Sequence, residues 1–442
     1  MSLFSRWMPK LLRRSPLPPR VFANLNFERI DTDQKIEEET FSDYLAARYY
    51  PVRIGEVFAL RYQVVGKLGY GTFSTVWLAR DLNQHNHVVL KVFIRAQAMG
   101  KSVGRELDIY RHMAAVASTS EHPGRHAVRS VLDNFKVTGP DGEHQCLVHP
   151  PLWESIQAYM RRTQDGRCPP RVIGMMLYQL LSALDFMHRE CRLIHADIKA
   201  DNIMFSIDDN SIYEAFERDE LEHPCARKEV NGRVVYASRQ LAVPEFLGPP
   251  VLCDFGAAVS GETKNVTDVQ PDLYRAPEII LEIPWRYEID IWNAGCLIWD
   301  VFENRHLFSG RDPEFNTYRS RAHLASIIAL LGPPPPELVA RSSVKSKFFS
   351  QDGRFDLDMP AQAFRGRGGC VAAHRADQLL GAFKAGIELP PSTSLEEIET
   401  TLAGKDDREQ FLEMMRKMLL WTPDRRSTAN ELLEDPWLLA QI

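Results

Sequence analysis

Residues 193–205 read L-I-H-A-D-I-K-A-D-N-I-M-F, with Asp197 two positions before Lys199 and five before Asn202. The apolar residues on both sides predict a short loop held at each end by core strands, with a carboxylate, an ammonium group and a carboxamide directed at one point. These groups suit phosphoryl transfer, because the carboxylate can take a hydroxyl proton, the lysine can neutralise phosphate charge and the amide oxygen can bind Mg²⁺. Taken alone, the pattern fits polar residues that solvate a turn equally well.

Length and composition limit the possible classes of protein. A chain of 442 residues predicts two lobes or domains, and 44% apolar with 25% charged residues is typical of a soluble globular protein. The net charge of -6 argues against wholesale nucleic-acid binding. The seven scattered cysteines never occur as C-x-x-C, which predicts a reduced, intracellular protein without a structural zinc. No apolar run reaches the ~18 residues of a transmembrane helix.

Residues 1–27 carry five basic and no acidic residues, with apolar residues at helical spacing from Phe4 to Leu12. This combination is typical of a mitochondrial transit peptide. Four prolines in the same stretch favour a basic disordered tail instead. Residues 1–55 are therefore predicted to be an N-terminal extension, either disordered or targeting. The expected location is the cytoplasm, the nucleus or both, with the mitochondrion as the alternative.

From Tyr62 onward the chain alternates as antiparallel strands do, and G-Y-G-T-F-S occupies residues 69–74. The two glycines let the backbone approach a phosphate, although a hairpin turn explains them equally well. Lys91 lies within V-V-L-K-V-F, where a lysine needs a charge partner, and Glu106 in the predicted helix 103–117 is the candidate. The alternative is a lysine that reaches water from a sheet edge.

The predicted lobe boundary is H-P-P-L at residues 149–152, since a proline pair forms a semi-rigid hinge. The N-lobe is expected over residues 56–149 and the C-lobe over 150–442. Residues 206–250 lack a sustained period, and we expect them to loop out as a solvated spacer between two paired strands. The apolar run 251–253 then places Asp254 at a strand end, where its carboxylate can ligate a cation.

The motifs resemble, in order, those of a eukaryotic protein kinase. The set comprises G-Y-G-T-F-S (69–74), V-V-L-K (88–91), Glu106, H-A-D-I-K-A-D-N (195–202), D-F-G (254–256), A-P-E (276–278), D-I-W-N-A-G (290–295) and Arg426. The resemblance implies an α+β, bilobal protein-kinase fold with a small β-rich N-lobe and a larger helical C-lobe. It also implies ATP and Mg²⁺ as cofactors and a protein substrate.

Within that family the chain resembles the SR-protein-specific kinases of the CMGC group, particularly the fungal ones. The resemblance rests on F-S-T-V-W-L-A (73–79), D-V-Q-P-D-L-Y-R-A-P-E (268–278), H-L-A-S-I-I-A-L-L-G-P-P-P (323–335) and R-R-S-T-A-N-E-L-L-E-D-P-W-L (425–438). It implies a serine/threonine kinase that acts as a monomer on Ser/Arg-rich splicing-type proteins. Residues 338–369, however, carry six basic and three acidic residues, a balance that disfavours an acidic docking groove in this segment.

Carried over position by position, the resemblance implies a role for each site residue. Asp197 would be the catalytic base and Lys199 would steady the γ-phosphate. Asn202 and Asp254 would hold magnesium. The residues implied to bind ATP are Leu68, Gly69, Gly71, Ser74, Val76, Lys91 with its partner Glu106, and Leu152, whose N–H would meet adenine because Pro150 and Pro151 have none. His149 would be the gatekeeper, Glu278 and Arg426 a buried pair, and Asp290 the brace of the catalytic loop.

Two departures from the kinase pattern have consequences. Ala196 stands where most kinases have an arginine that meets an activation-segment phosphate, so we expect activity without modification of Ser260, Thr263 or Thr267. Ser74 replaces the last lid glycine, and its small side chain still clears a phosphate. The alternative function is a pseudokinase-type binding scaffold, which the presence of all the catalytic residues disfavours. A small-molecule phosphotransferase is a third hypothesis, which A-P-E and D-x-W-x-x-G disfavour.

Overall fold

The computed structural model describes residues 15–95, 102–349, 383 and 385–442. The apolar pattern at residues 4–12 and most of the basic segment 338–369 lie outside these ranges. Within them, no helix has the length and apolar character needed to span a bilayer.

The chain divides into two compact units that do not follow a single break in the sequence. The sheet unit contains the chain up to Leu107, Ser130–Trp153 and Ser206–Gly248, and the helical unit contains Asp108–Arg129, Glu154–Phe205 and the chain from Pro249 onward. The insertion at 206–248 therefore belongs to the sheet unit, although it interrupts the part of the sequence assigned to the C-lobe.

The secondary-structure elements have the following bounds in chain order. The strands are β1 Val57–Phe58, β2 Tyr62–Gly71, β3 Ser74–Asp81, β4 Asn86–Arg95, β5 Asp133–Gly139, β6 Gly142–His149, β7 Leu193–Ile194, β8 Ile203–Phe205, β9 Arg227–Val230, β10 Arg233–Tyr236, β11 Pro250–Leu252 and β12 Val259–Ser260. The helices are α1 Ser102–Ala117, α2 Ile156–Met160, α3 Pro170–Asp185, α4 Ser211–Glu222, α5 Pro277–Ile280, α6 Glu288–Glu303, α7 Ser320–Leu331, α8 Pro336–Arg341, α9 Lys345–Phe348, α10 Leu395–Ile398, α11 Lys405–Met418, α12 Ala429–Leu433 and α13 Pro436–Gln441.

The sheet unit is built on an antiparallel sheet with the strand order β1-β2-β3-β4-β6-β5. One face buries alternate residues such as Val64, Trp77, Ala79 and Leu90, as the period of two predicted. The register of β2 against β3 shifts at Val64/Gly66 and again at Lys67/Gly69. Such irregularities bend a strand, and here they immediately precede the glycine-rich turn.

The insertion folds onto this sheet, so the expectation of a solvated spacer is wrong. On α4 the side chains of Tyr213 and Phe216 are buried, and so are Glu217 and Glu220. Each buried carboxylate has cationic partners: Arg20 and Arg80 contact Glu217, which also lies 3.1 Å from His87 Nε2, and Arg227 and Arg239 of the insertion contact Glu220. The acidic composition of the insertion predicts exposure to solvent, but carboxylates that are paired with cations can be buried as apolar residues are.

The N-terminal extension is also part of the sheet unit, so a disordered tail is wrong for residues 15–55. The Leu17 N–H donates to Leu82 O at 2.8 Å, and Asn24 Nδ2 donates to Glu222 O at 2.7 Å. Further along, the Arg227 N–H donates to Glu28 O at 3.1 Å. The segment thus runs from the sheet to the insertion and is hydrogen-bonded to both.

The helical unit is organised around α6, along which every residue from Ile289 to Glu303 is buried. A predicted ion pair lies beside its first turn: Arg426 donates through both terminal nitrogens to the Glu278 carboxylate at 2.6 and 2.7 Å, and both side chains are fully buried. Two short antiparallel pairs, β8 with β11 and β7 with β12, complete the framework that supports the site.

We expect Phe216→Ala to lower the free energy of unfolding by about 3–5 kcal/mol, the usual loss for a large buried ring. The ring contacts the backbone of β2 so closely that a Cβ built on Gly66 would lie 2.8 Å from Phe216 Cε1. Urea denaturation measures the change. The control is Glu214→Ala, which removes an exposed side chain from the same helix and should change stability by less than about 0.5 kcal/mol. An unchanged midpoint for Phe216→Ala would show that the helix does not contribute to the core.

Candidate active site

The loop between residues 194 and 203 is held at both ends by strands, as predicted. β7 pairs with β12, and β8 pairs with β11 through Ile203 and Leu252. Because both partner strands flank Asp254, the loop and the D-F-G turn share one support. The structure therefore brings these two sequence motifs together in the helical unit.

The buried carboxylate of Asp290 fixes the shape of the loop. It accepts the backbone N–H groups of His195 at 2.8 Å and Ala196 at 2.9 Å, and it contacts His188 Nε2 at 2.9 Å. Ala196 adopts a left-handed conformation with φ of 63°, which costs of order 1 kcal/mol in a non-glycine residue. Charge-assisted hydrogen bonds to a buried carboxylate offset that cost. The bracing role that the kinase resemblance implied for Asp290 agrees with this geometry.

The side chains of Lys199 and Asn202 converge on Asp197. Lys199 Nζ lies 2.8 Å from Asp197 Oδ2, and Asn202 Nδ2 donates to Asp197 O at 2.8 Å and to Oδ2 at 2.9 Å. The Asp197 side chain remains 23% exposed, so a substrate hydroxyl can reach it. The cluster thus presents a positioned carboxylate beside an ammonium group, an arrangement that can take a proton while neutralising phosphate charge.

Asp254 and Asn202 lie in the same unit, and the backbone beside Asp254 is hydrogen-bonded to Asn202. The N–H of Cys253, which precedes Asp254, donates to Asn202 O at 2.8 Å. Phe255 is buried, with its ring 5.2 Å from Tyr110 and 5.3 Å from His195 between centroids. One carboxylate and one amide oxygen suit Mg²⁺, which usually takes one or two protein ligands and completes its shell with phosphates and water. These residues therefore fit the metal that the kinase resemblance implies.

The glycine-rich motif forms the turn between β2 and β3 in the sheet unit. Gly69 pairs with Val76 and Gly71 with Ser74, and Leu68 precedes them on β2. A Cβ built on Gly69 or Gly71 meets no heavy atom within 4 Å, so the backbone borders open space. Exposed backbone N–H groups without side chains in the way can approach a phosphate.

Lys91 and Glu106 form the ion pair predicted from the sequence. Their Nζ and Oε1 atoms lie 2.9 Å apart, with Lys91 on β4 and Glu106 on α1. The Lys91 ammonium also lies 4.9 Å from the centre of the Phe93 ring. The pair fixes a positive charge at a defined place on the sheet, where it can meet a phosphate.

The predicted hinge follows β6. His149 ends that strand, and its Nδ1 lies 2.8 Å from Ser130 O. Leu152 is buried, and the next residue, Trp153, donates from Nε1 to Ala242 O in the insertion at 3.0 Å. The contact of Leu152 with adenine stays a prediction.

The sequence gives little indication of the contacts that hold the activation segment, residues 257–275 between D-F-G and A-P-E. Arg275 contacts Asp268 at 3.1 Å and Asp272 at 3.0 Å, and Trp285 Nε1 donates to Thr267 O at 3.1 Å. The only sequence signal was two acidic residues at three and seven positions before an arginine. These bonds give the segment an internal counter-charge for Arg275.

A second missed contact joins this segment to α6. The Tyr274 hydroxyl donates to Asp300 Oδ2 at 2.6 Å, and Asn293 Nδ2 donates to Tyr274 O at 2.6 Å. Burial, reinforced by the Asp300 charge, raises the pKa of Tyr274 far above its ordinary value, so the hydroxyl remains a donor. The peptide preceding A-P-E is thereby anchored to the core helix.

Residues 62–214 and 245–438 match the protein kinase domain, and the chain belongs to the protein kinase family. It is a serine/threonine protein kinase with the predicted α+β, bilobal fold, and it resembles the SR-protein-specific kinases as its motifs indicated. It is 37% identical to a serine/threonine protein kinase of Aspergillus fumigatus over the whole of both chains. It is 26% identical to the serine/threonine-protein kinase SRPK of Physarum polycephalum over 91% of each chain. It is 34% identical to SRSF protein kinase 3 of Mus musculus over 39% of this chain and 30% of that one.

Proposed function

We propose that this kinase transfers the γ-phosphate of magnesium-bound ATP to serine or threonine in Ser/Arg-rich proteins, with Asp197 as the catalytic base. The observation that carries the mechanism is the convergence of Lys199 and Asn202 on the Asp197 carboxylate at 2.8 and 2.9 Å. Lys199 balances charge on the γ-phosphate, and the hydrogen bonds from Asn202 orient the base toward the acceptor hydroxyl.

The cofactor assignment follows from the fit of the residues. Asn202 and Asp254 would hold Mg²⁺, which would neutralise phosphate charge when bound. In the sheet unit, Leu68, Gly69, Gly71, Ser74 and Val76 form the lid over ATP. Lys91, held by Glu106, would meet the α- and β-phosphates, and the Leu152 N–H would meet adenine.

The preference for arginine-flanked acceptors is supported by a cavity of about 190 Å³ in the helical unit, beside the activation segment. Asp268 and Glu282 line it together with Trp285, and their carboxylates are 74% and 54% exposed. Each carboxylate already contacts a cation of this chain, Asp268 with Arg275 and Glu282 with Lys347, and because both are exposed, a substrate guanidinium group can share them. The names of the relatives SRPK and SRSF protein kinase 3 agree with this substrate class.

We expect Asp197→Asn to reduce kcat by about 10²-fold or more, because the amide cannot accept the hydroxyl proton. The assay uses Mg-ATP and a degenerate serine/threonine peptide library. The control is Asp208→Asn, an exposed carboxylate outside the loop, which should retain activity. Full activity in Asp197→Asn would exclude Asp197 as the base.

The same library tests the substrate class. We expect serine flanked by arginine to react with roughly fivefold higher kcat/KM than serine flanked by glutamate, since an exposed ion pair contributes up to about 1 kcal/mol. The variant Glu282→Gln should narrow that ratio and leave kcat on uncharged peptides unchanged. Equal reactivity of the two peptide classes would contradict Ser/Arg-rich substrates while leaving the kinase mechanism intact.

We infer that activity does not depend on phosphorylation of the activation segment. Ala196 leaves the catalytic loop without the arginine that would meet such a phosphate, and Asp268 and Asp272 already neutralise Arg275. Arg286 also donates to Gly261 O at 2.7 and 2.9 Å, so the segment has backbone support at more than one point.

Replacing Ser260, Thr263 and Thr267 together with alanine is therefore expected to change kcat/KM by less than about threefold. Trp285 donates to the backbone oxygen of Thr267, and Arg286 donates to that of Gly261. Alanine substitutions therefore leave both hydrogen bonds in place. Steady-state kinetics on protein with an unchanged melting temperature provide the measurement. A large loss of kcat/KM in a well-folded triple variant would show that activity requires phosphorylation of the activation segment.

For location we propose the cytoplasm, the nucleus or both. Residues 17–24 are hydrogen-bonded to the sheet and insertion, so removal of residues 1–27 would break folded contacts. We expect the full chain with a C-terminal fluorescent tag to stay outside mitochondria, and Arg6→Glu with Arg13→Glu to leave its distribution unchanged. Mitochondrial uptake with a shortened N-terminus would contradict this.

A further inference from the structure

The turn of the ATP lid is hydrogen-bonded by a residue from the N-terminal extension. The Tyr49 hydroxyl donates to Thr72 O at 2.9 Å and lies 3.5 Å from Gly71 O. Burial, together with the nearby charge of Glu38, raises the pKa of Tyr49 to about 12, so the hydroxyl stays protonated and can donate. Thr72 itself is exposed at the tip of the turn, and Tyr49 is buried beneath it.

Two more contacts connect the extension to the strand that leads into the lid. The ring of Phe41 packs edge-on against Tyr70, with 5.7 Å between centroids. Glu38 pairs at 2.5 Å with Lys67, whose side chain is only 1% exposed. A buried ammonium group depends on its carboxylate, so this pair fixes β2 immediately before Leu68.

The insertion in turn holds the extension in place. Arg233 on β10 donates from Nη1 to Tyr49 O at 2.8 Å. The Ser238 N–H donates to Glu37 Oε1 at 3.0 Å, and Lys228 Nζ lies 2.9 Å from Glu39 Oε2. The contacts therefore form a chain from the insertion, through residues 37–49, to the glycine-rich turn.

We propose that Tyr49 is a positioning residue that holds the glycine-rich lid in its ATP-binding conformation, and that the insertion acts on ATP binding by holding Tyr49 through Arg233. A glycine-rich turn bordered by open space has many accessible conformations, and ordering it on a phosphate costs conformational entropy. A hydrogen bond that orders the turn beforehand removes part of that cost from the binding of ATP. The inference rests on the proposed role of residues 69–74 as the lid.

The test is Tyr49→Phe, which keeps the ring and removes only the hydroxyl. We expect the KM for ATP to rise roughly 3- to 10-fold, the factor that one hydrogen bond of ordinary strength supports. The value of kcat at saturating ATP should stay within about twofold, and amide hydrogen exchange at residues 69–74 should become faster. A purely structural role would instead reduce the active fraction, which lowers apparent kcat and leaves the KM unchanged.

The matched control is Tyr44→Phe. Its ring packs against Tyr49 at 5.3 Å, but within the described residues its hydroxyl has no hydrogen bond to the turn. This variant should keep the KM for ATP. A rise equal to that of Tyr49→Phe would show that ring packing, not the hydroxyl, matters, and would overturn the proposal.

The part played by the insertion is tested with Arg233→Ala. We expect the KM for ATP to rise in the same direction, and the double variant with Tyr49→Phe to show much less than the product of the two effects. The charge-matched control is Arg218→Ala, an exposed arginine on α4, which should have no effect. Full additivity would mean that Arg233 does not act through Tyr49.

Gly71→Val separates this inference from the lid assignment on which it rests, because a bulky side chain on the open face blocks a phosphate. If Gly71→Val raises the KM for ATP and Tyr49→Phe does not, the positioning role of Tyr49 is wrong and the lid stands. If neither variant changes the KM, the lid assignment itself fails.

Discussion

The buried carboxylate of Asp290 is the constraint on which the active site depends. It lies at the start of a helix that is buried along its length, and it accepts the backbone N–H groups of His195 and Ala196. Those two bonds hold Ala196 in a left-handed conformation and so determine the direction in which the Asp197 side chain points. A charge with no exposure to solvent gives strong hydrogen bonds, and it must be fully satisfied because desolvation makes an unpaired carboxylate costly.

The same rule explains how the sheet unit accommodates an acidic insertion. Glu217 and Glu220 on α4 and Glu38 in the extension are buried, and each has a cation within 3.5 Å. The cations come from β3, from the extension, from β2 and from the hairpin after α4. Burying these carboxylates is favourable only when all the segments assemble together. The charges therefore join extension, insertion and sheet into one cooperative unit.

The activation segment supplies the counter-charges for its own arginine. Arg275 is neutralised by two carboxylates of its own segment, and Tyr274 is anchored to Asp300 on the core helix. In a kinase that has alanine before Asp197 in its catalytic loop, that position offers no cation to an activation-segment phosphate. The contacts of Arg275 and Tyr274 both form within the folded chain itself.

The sequence by itself determined the family, the order of the motifs and the Lys91–Glu106 pair, because each motif combines a local pattern with a chemical role. The Glu278–Arg426 pair followed only from the resemblance to protein kinases. The spacing within residues 193–205 also predicted that Asp197, Lys199 and Asn202 meet, since they lie in one loop between two strands. Only the tertiary structure decided where the extension and insertion go. Their partners are far apart in the chain, as with Glu37 and Ser238, 201 positions apart, and the pairing of charges leaves no periodic signal. Local sequence patterns report which face of an element is apolar, whereas the partner of a buried charge is fixed only when distant segments fold against each other.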